Sequence, residues 1–359
     1  MKRCKLCLQT DTRPGIIFQG DVCQGCLNFS NRKSIDWDTR ILELKELTKG
    51  KRVGVAISGG KDSYFLTHLA TQVLNARPTL IRIGDPFGYW PNAKENIQNL
   101  QDRFELPMVQ WRLDFETYRR LCRAGFEELG NFPWLDVLIY MGSLRLAGSL
   151  GLDVLLFGEY AGFEYGCTTE EESEVSFSGF SDTLRWMKRI LDWGDFAFLA
   201  NANDYQCGVQ SLYTSYFVPW SASRNFEIAK TSYGFKDCGV DRAGYAVRYS
   251  QMDALGWGIS NRLKFQKFGF SRVTDEVSGL LREGKMSLQK AKELIEREDS
   301  RLSVAVLEDF LRVSGYSYEE YNAIAEKWWN KDLFVKEGNT WNLKSGNGIN
   351  AQVARVQNG

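Results

Sequence analysis

The residues best suited to chemistry in this chain form a short glycine-rich segment, Ser58-Gly59-Gly60-Lys61-Asp62-Ser63. Its two glycines let the backbone turn tightly and approach an anion, and its serine hydroxyls add hydrogen-bond donors. Lys61 supplies a positive charge, and Asp62 can contact Mg²⁺ or cap a helix. The segment therefore predicts a cradle for the phosphate groups of a nucleotide. The alternative is a glycine-rich turn that binds no ligand.

The flanking residues indicate which elements position this segment. A β-branched run at residues 52–57 predicts a strand before it, and residues 64–70 continue after it as a helix without a breaker. The N–H groups of a helix's first turn can then point at the bound anion. The segment is not a Walker A loop, because Asp62 follows Lys61 and Val55 stands where that motif has its first glycine.

Strands and helices alternate along the rest of this region, which predicts an α/β domain with a doubly wound, mostly parallel sheet. Strands are predicted at residues 79–83, 108–113 and 153–157, and helices at 36–47, 92–100, from 116, and at 134–150. Ligands bind beyond the carboxyl ends of such strands. We therefore expect Gly84 and Asp85 to contact the nucleotide. Glu159 and Glu164 could hold Mg²⁺ or orient an amine nucleophile, or they belong to a solvated loop. Residues 169–175 are predicted to be an exposed loop.

Four cysteines near the start form two C-x₂-C pairs: Cys4, Cys7, Cys23 and Cys26. Two such pairs can complete a tetrahedral site, which predicts a structural Zn²⁺ ribbon, with an iron–sulfur cluster as the alternative. Disulfides would require an oxidising compartment. The isolated cysteines are predicted to be small buried apolar groups: Cys122, Cys167, Cys207 and Cys238.

Composition narrows the classes of function. Lys plus Arg and Asp plus Glu each number 45, so a protein that grips nucleic acid along its length is disfavoured. No apolar run reaches about 18 residues, which predicts a soluble, cytoplasmic protein without a membrane span. The single histidine, His68, lies on the predicted helix and is assigned to packing or the surface. A Cys-His glutaminase triad is therefore not expected.

The chain divides into three predicted regions: a zinc-binding segment at 1–34, a nucleotide-binding domain at 35–250 and a mostly helical region at 251–359. Residues 287–298 form an amphipathic helix, and Ser317 and Glu320 form a capping box that opens another. The tail after Asn339 is rich in Gly and Asn and is predicted to be loosely ordered.

The glycine-rich segment resembles the loop of the PP-loop ATP pyrophosphatases, which split ATP into AMP and pyrophosphate. Several stretches in register, from Cys4 to about Asp299, resemble the N-acetyl sugar amidotransferase family of the WbpG/PseA type. They are the cysteine pairs, residues 58–63, 96–100, 158–159, 164–166 and 216–220, and Lys267-Phe268-Gly269-Phe270 followed by Arg272. Where that family has Pro-Trp-Asp, this chain has Pro219-Trp220-Ser221.

The resemblance implies a PP-loop fold and an ATP-dependent amidotransferase, a carbon–nitrogen ligase that forms AMP. Its substrate would be a UDP- or CMP-linked sugar, whose acetamido group becomes acetamidino through an adenylated imidate. Such sugars belong to bacterial surface polysaccharides, either O-antigens or nonulosonic acids.

The same resemblance implies ATP, Mg²⁺ and structural Zn²⁺ as cofactors. It assigns phosphate binding to residues 58–63 and binding of the substrate anion to Lys267 and Arg272. The residues assigned to catalysis are Lys61, Asp62, Glu159 and Glu164. Ammonia would come from a separate glutaminase subunit with a cyclase-like partner.

Two alternatives stay open. A tRNA-thiolating PP-loop enzyme would predict a basic surface and a catalytic cysteine pair near the loop. A zinc-ribbon adaptor with an inactive nucleotide fold would predict no nucleotide binding.

Overall fold

The N-terminal segment is a small module built around the cysteine pairs. The computed structural model describes residues 1–200 and 208–344. Strands β1 (Phe18–Gln19) and β2 (Val22–Cys23) form an antiparallel hairpin that leads into helix α1 (Gln24–Asn31) and a 3₁₀ turn at Arg32–Ser34. Helix α2 (Trp37–Thr48) begins where the Asp36 carboxylate accepts a hydrogen bond from the Thr39 N–H, as expected of an N-cap.

Five parallel strands form the central sheet in the order β5-β4-β3-β6-β7. Their bounds are β3 (Val53–Ile57), β4 (Thr79–Ile83), β5 (Met108–Trp111), β6 (Val154–Phe157) and β7 (Gln210–Tyr213). Val55 pairs with Leu80 on one side and Leu156 on the other, so the central strands are buried on both faces. The next two strands in sequence, β4 and β5, lie on one side of β3, and β6 and β7 lie on the other. This order confirms the predicted doubly wound parallel fold. Strand β7 was not predicted.

Helices connect and cover these strands. Helix α3 (Lys61–His68) follows β3 and continues as a π-helical turn at Leu69–Val73. The others are α4 (Ala93–Phe104), α5 (Phe115–Ala124) with a π-helical turn at Gly125–Leu129, α6 (Pro133–Val137), a π-helical turn at Leu138–Gly142, α7 (Ser143–Ser149), α8 (Ala161–Glu164), a 3₁₀ turn at Ser178–Phe180, α9 (Ser181–Met187), α10 (Trp193–Ala200), α11 (Thr214–Phe217) and α12 (Ala222–Tyr233). Helix α12 packs closely against α3, whose first residues, Lys61 to Ser63, are the end of the glycine-rich segment.

The C-terminal region is mostly helical, which confirms that prediction. Its helices are α13 (Trp257–Phe268), α14 (Arg272–Arg282), α15 (Leu288–Glu298), α16 (Val304–Ser314) and α17 (Tyr318–Ala325), followed by a 3₁₀ turn at Glu326–Trp328. The predicted capping box is present at the start of α17.

The prediction of a loose tail after Asn339 is wrong for residues 340–344. A hairpin of β8 (Phe334–Glu337) and β9 (Thr340–Leu343) ends the described part of the chain. It is ordered because Trp341 stacks on Trp329 at 5.4 Å and both pack with Phe265, giving the hairpin its own apolar core.

The isolated cysteines differ in their surroundings. Cys122 and Cys238 are buried, in agreement with their assignment to the core, whereas Cys167 is half-buried near the N-terminal module. Cys207 lies outside the described residues.

Candidate active site

The glycine-rich segment joins the carboxyl end of β3 to the start of α3. The Ser63 hydroxyl accepts hydrogen bonds from the N–H groups of Ser58 (3.0 Å) and Gly59 (3.1 Å), which fixes the turn from within. Gly59 has φ +95°, and a Cβ there would lie 2.3 Å from Cγ1 of Ile97. Only glycine fits this position, both in backbone angle and in space.

Lys61 and Asp62 follow at the first turn of α3 as an ion pair. Lys61 Nζ lies 2.6 Å from Asp62 Oδ2, and the Lys61 side chain is only 8% exposed. The other carboxylate oxygen, Asp62 Oδ1, accepts a hydrogen bond of 2.9 Å from Asn225 Nδ2 on α12. Asn225 is fully buried, so it fixes the Asp62 carboxylate in one orientation. His68, further along α3, contacts the Tyr233 hydroxyl at 2.6 Å and lines none of the cavities described below.

A cavity of about 270 Å³, the first cavity, opens at the carboxyl ends of three neighbouring strands. β3 and the loop contribute Ser58, Asp62 and Ser63; β4 contributes Ile83, Gly84 and Asp85; and β6 contributes Phe157, Gly158 and Glu159. Its remaining walls are mostly apolar and aromatic, including Leu135, Ile139, Tyr140 and Trp257. The polar residues at one end suit the phosphates of a nucleotide, and the apolar and aromatic walls suit its base.

Two carboxyl groups face each other in the first cavity. Burial, and then the nearby Asp253 carboxylate, raise the pKa of Asp85 to about 7. Asp85 also accepts a hydrogen bond from the Phe87 N–H at 2.9 Å. Burial raises the pKa of Asp253 as well, while Arg82 and the Ser58 hydroxyl lower it part of the way back. Sequence reasoning missed Asp253, which lies in an irregular stretch before α13 with no motif around it.

A second cavity of about 140 Å³ lies on the other side of Asp62 and Glu159, which line both cavities. Its walls combine charged side chains with aromatic rings: Lys61, Glu164, Arg272, Asp275, Glu276, Arg282 and Glu283 with Phe29, Tyr165, Trp220 and Tyr249. The predicted catalytic residues and the predicted substrate residue Arg272 therefore surround one space. Gly59 and Gly60 line neither cavity and shape the backbone instead.

Glu159 and Glu164 have different electrostatic surroundings. Burial, followed by repulsion from Asp62, raises the pKa of Glu159, which favours its protonated form. Burial also raises the pKa of Glu164, but the Arg32 guanidinium that contacts it opposes that shift. Lys61 opposes the upward shift at Glu159, but Glu159 forms no salt bridge among the described residues and so remains available to a reacting group.

The two predicted substrate cations lie in different places. Arg272 opens α14 beside the second cavity, where its guanidinium donates to the Ser250 hydroxyl (2.7 Å) and to Glu276 (3.2 Å). Lys267 instead donates to the carbonyl oxygens of Leu129 and Gly130, at 3.2 and 3.3 Å, and lines neither cavity. Those carbonyls end a helical stretch, where a cation is favoured, so Lys267 has a structural partner of its own.

The four N-terminal cysteines are buried, and their ligand atoms all lie within 4.8 Å of one another. The sulfurs of Cys7 and Cys23 are 3.4 Å apart, and those of Cys4 and Cys26 are 3.8 Å apart. Tetrahedral ligands at a Zn–S distance of about 2.3 Å would be about 3.8 Å apart, so the donor set fits zinc. The predicted four-cysteine cluster is thus present and can hold a metal.

The cysteine module contacts the loop that carries the candidate carboxylates. Arg282 Nη2 lies 3.6 Å from Cys7 Sγ, and Nη1 donates to the Glu164 carbonyl at 2.8 Å. Burial alone would lower the pKa of Arg282, but the Cys7, Cys23 and Cys26 sulfurs outweigh it and raise that pKa. Asn28 donates to the Phe163 and Thr168 carbonyls, both at 2.9 Å. The module therefore braces residues 163–168 from behind.

The prediction that residues 169–175 form only an exposed loop is wrong at Glu171. Its side chain is 5% exposed and lies 3.0 Å from Arg32 and 2.6 Å from Arg40. The two arginines draw the carboxylate inward, because a buried charge is stable only when it is paired. Glu171 therefore ties this loop to the N-terminal module and α2.

Comparison with known proteins gives a family match for the C-terminal part of the chain. Residues 210–346 match the family described as "LPS biosynthesis protein WbpG-like, C-terminal domain", so the chain carries a WbpG-like C-terminal domain. No curated protein matches the chain. One similar solved structure is the U34-tRNA thiolase NcsA from Methanococcus maripaludis with its [4Fe-4S] cluster, at 12% identity and a TM-score of 0.34, covering 83% of this chain and 90% of that one. Among the described residues, no helix is long and apolar enough to span a bilayer.

The departure from the family's Pro-Trp-Asp pattern has a simple structural counterpart. Ser221 is the N-cap of α12, where its hydroxyl accepts a hydrogen bond of 3.1 Å from the Arg224 N–H. Asp and Ser are equally good N-caps. The substitution therefore preserves the start of the helix that carries Asn225.

Proposed function

We propose that this protein is an ATP-dependent amidotransferase that converts the acetamido group of a nucleotide-linked sugar into an acetamidino group for bacterial surface polysaccharide. One observation carries the proposal: the first cavity, beside the glycine-rich segment, and the charged and aromatic second cavity share a wall made of Asp62 and Glu159. A reaction between ATP and a second substrate needs two such spaces that meet at the reacting atoms. The WbpG-like match over residues 210–346 agrees with it.

In the first step, the acetamido oxygen attacks the α-phosphorus of ATP and pyrophosphate leaves. ATP would occupy the first cavity with its phosphates at residues 58–63, whose backbone N–H groups and hydroxyls stabilise the departing anion. Lys61, next to Asp62 at the start of α3, would offset the charge that develops on the phosphates. The amide N–H proton is released to solvent, and the product is an imidate whose oxygen carries AMP.

In the second step, ammonia attacks the imidate carbon and AMP leaves with the former acetamido oxygen. The nitrogen that arrives carries surplus protons, and one must be lost to give the amidine. Glu159 is proposed to take this proton, because burial and Asp62 raise its pKa and it lines the second cavity. Overall, oxygen on carbon is replaced by NH, and ATP becomes AMP and pyrophosphate.

Two metals are proposed. Mg²⁺ would be held by Asp62 together with the phosphates, since carboxylate oxygens are ligands it prefers, and would neutralise phosphate charge. Zn²⁺ would occupy the four-cysteine cluster in a structural role, since four thiolates leave no open coordination position.

Ammonia is proposed to come from a separate glutaminase subunit working with a cyclase-like partner. The single histidine, His68, is bonded to Tyr233, and glutamine hydrolysis of the Cys-His type needs a histidine beside a cysteine. Ammonium salts should therefore replace glutamine in the isolated protein.

The test is product analysis with purified protein, Mg-ATP, ammonium chloride and a panel of UDP- and CMP-linked acetamido sugars. We expect sugar-dependent AMP and a sugar lighter by the difference between O and NH. With a heavy oxygen isotope in the acetamido carbonyl, the label should appear in AMP. Asp62→Ala should abolish turnover, and Lys290→Ala, on the exposed face of α15, is the matched control.

ADP as the product, or label that remains in the sugar, would contradict the mechanism. AMP formed without change in any sugar would indicate another acceptor, such as a tRNA.

A further inference from the structure

An open groove of about 690 Å³, the surface groove, continues outward from the second cavity. Phe29, Trp220 and Glu283 line both spaces, so the groove leads from the protein surface toward Asp62 and Glu159. None of the candidate catalytic residues lines the groove. Arg32 does line it, and Arg32 is paired with Glu164. The groove is therefore separate from the reacting centre but connected to it.

Three aromatic rings form one part of the groove wall: Phe29, Trp37 and Trp220. Phe29 and Trp37 are half-buried, so part of each side chain remains exposed. The Arg40 guanidinium lies 5.5 Å from the centroid of the Trp37 ring. Trp220 is buried and held edge-on against Phe65, with ring centroids 5.5 Å apart. Flat rings at a groove are suited to stacking with a nucleobase or with the face of a sugar.

Three cations that form no salt bridge among the described residues line the same groove: Lys33, Arg224 and Lys285. Of these, Arg224 is attracted electrostatically by Glu283. Both lysines are exposed. Arg224 is half-buried; its Nη2 contacts the Pro219 carbonyl, while its Nε is buried and has no hydrogen-bond partner. A buried N–H group without an acceptor destabilises the folded protein unless a ligand accepts its hydrogen bond.

The carboxylates of the groove do not cancel these charges. Glu283 accepts a hydrogen bond from the Ser223 hydroxyl, and Glu227 is exposed at the rim. Arg32 also lines the groove but is paired with Glu164 and Glu171. The groove groups without a salt bridge are thus three cations and two carboxylates, and this small excess of positive charge favours an anionic ligand.

We propose that the surface groove binds the nucleoside phosphate portion of the acceptor. This inference rests on the proposed function and deepens it. The base stacks on Trp37, and the phosphates meet Arg224, Lys33 and Lys285. The sugar then passes Trp220 into the second cavity, where its acetamido group reaches Asp62 and Glu159. Free sugars that lack the nucleotide would bind weakly for want of these contacts.

The test is calorimetric titration of UDP and of CMP into full-length protein saturated with α,β-methylene-ATP, which occupies the first cavity and resists cleavage at the bond in question. The variant Lys33→Ala/Lys285→Ala removes two exposed cations and should not disturb folding. Trp37→Ala removes the stacking ring, and Lys290→Ala is the control. We expect the double variant to weaken binding of one of these nucleotides about tenfold and Trp37→Ala to weaken it similarly.

In turnover assays, the double variant should raise KM for the sugar nucleotide and leave KM for ATP and kcat unchanged. The proposal is overturned if neither nucleotide binds, if α,β-methylene-ATP displaces both, or if the variants bind them like the control. If nucleotide binding depends on these residues but no sugar is amidinated, the groove assignment stands and the proposed function fails. If amidination occurs but the acceptor KM is unchanged in the double variant, the proposed function stands and the groove assignment fails.

Discussion

The first glycine of the glycine-rich segment allows a quantitative test of the site's geometry. Gly59 has φ +95°, and an added Cβ would lie 2.3 Å from Ile97 Cγ1. A left-handed backbone costs an L-residue about 1–2 kcal/mol. A methyl group forced into occupied space adds about 1–3 kcal/mol. Gly59→Ala is therefore expected to lower the free energy of unfolding by about 2–5 kcal/mol and to abolish ATP binding.

The neighbouring glycine supplies the control. Gly60 has φ −76°, and its added Cβ would meet nothing closer than the Ser58 hydroxyl at 3.5 Å. Gly60→Ala should cost less than about 1 kcal/mol, the difference between these residues as an N-cap. Adding Ile97→Ala to Gly59→Ala should recover the steric part of the loss but not the backbone part.

The assay is urea unfolding followed by circular dichroism, with calorimetric titration of α,β-methylene-ATP on each variant. Equal stability of Gly59→Ala and Gly60→Ala would refute the geometry described for the loop. Full recovery by Ile97→Ala would show that the backbone angle carries no cost.

Three further predictions concern the surrounding residues. Asn225→Ala should lower kcat about tenfold or more with little change in acceptor KM, because Asp62 loses the bond that orients it; unchanged turnover would contradict this. Since the pKa of Asp85 is raised to about 7 from 3.8, the folded state binds its proton more tightly than the unfolded state does, so stability should fall as pH rises from about 4 to 7. That loss is at most about 4 kcal/mol and should disappear in Asp85→Asn, as measured by urea unfolding across this pH range. Cys4→Ser should lose bound metal, measured by elemental analysis, and speed amide exchange in residues 163–168, whereas slow exchange there without metal would contradict the bracing role.

The local features of the fold were predictable because they depend on residues that are close together in the sequence. Strand β4 was predicted at residues 79–83 and is observed there, since a β-branched run between turn signals admits one interpretation. The phosphate loop, the cysteine pairs and the capping box at Ser317 likewise depend on short fixed spacings. Placement of Gly84, Asp85 and Glu159 on one cavity follows from a rule about parallel sheets rather than from any motif.

Long-range contacts were not predictable from the same patterns. Asn225 and Asp253 reach the loop from parts of the chain more than 150 residues away, and nothing in their neighbours marks them. Strand β7 is short and contains Ser211, which weakens its apolar pattern. The hairpin after Asn330 is stabilised by Trp341 stacking on Trp329, a contact that depends on the fold around it.

The charged residues of helix α14 indicate a ligand site that was not predicted from the sequence. Its apolar residues Val273 and Val277 pack in a small core, which would normally leave the opposite face in water. That opposite face instead lines the second cavity, with positions spaced by three or four residues: Arg272, Asp275, Glu276, Gly279, Leu280 and Glu283. Charged groups on a covered face indicate a polar ligand, since burying them without one is costly.

In the proposed function, this arrangement separates the two substrates along the chain. The residues that line the first cavity come mainly from the strands and loops before residue 160, and they are the ones assigned to ATP. The wall of the second cavity comes largely from α14 and the preceding segment, inside the WbpG-like domain at 210–346. Changes in α14 should therefore alter which acceptor is used without altering ATP cleavage, because only Asp62 and Glu159 belong to both cavities.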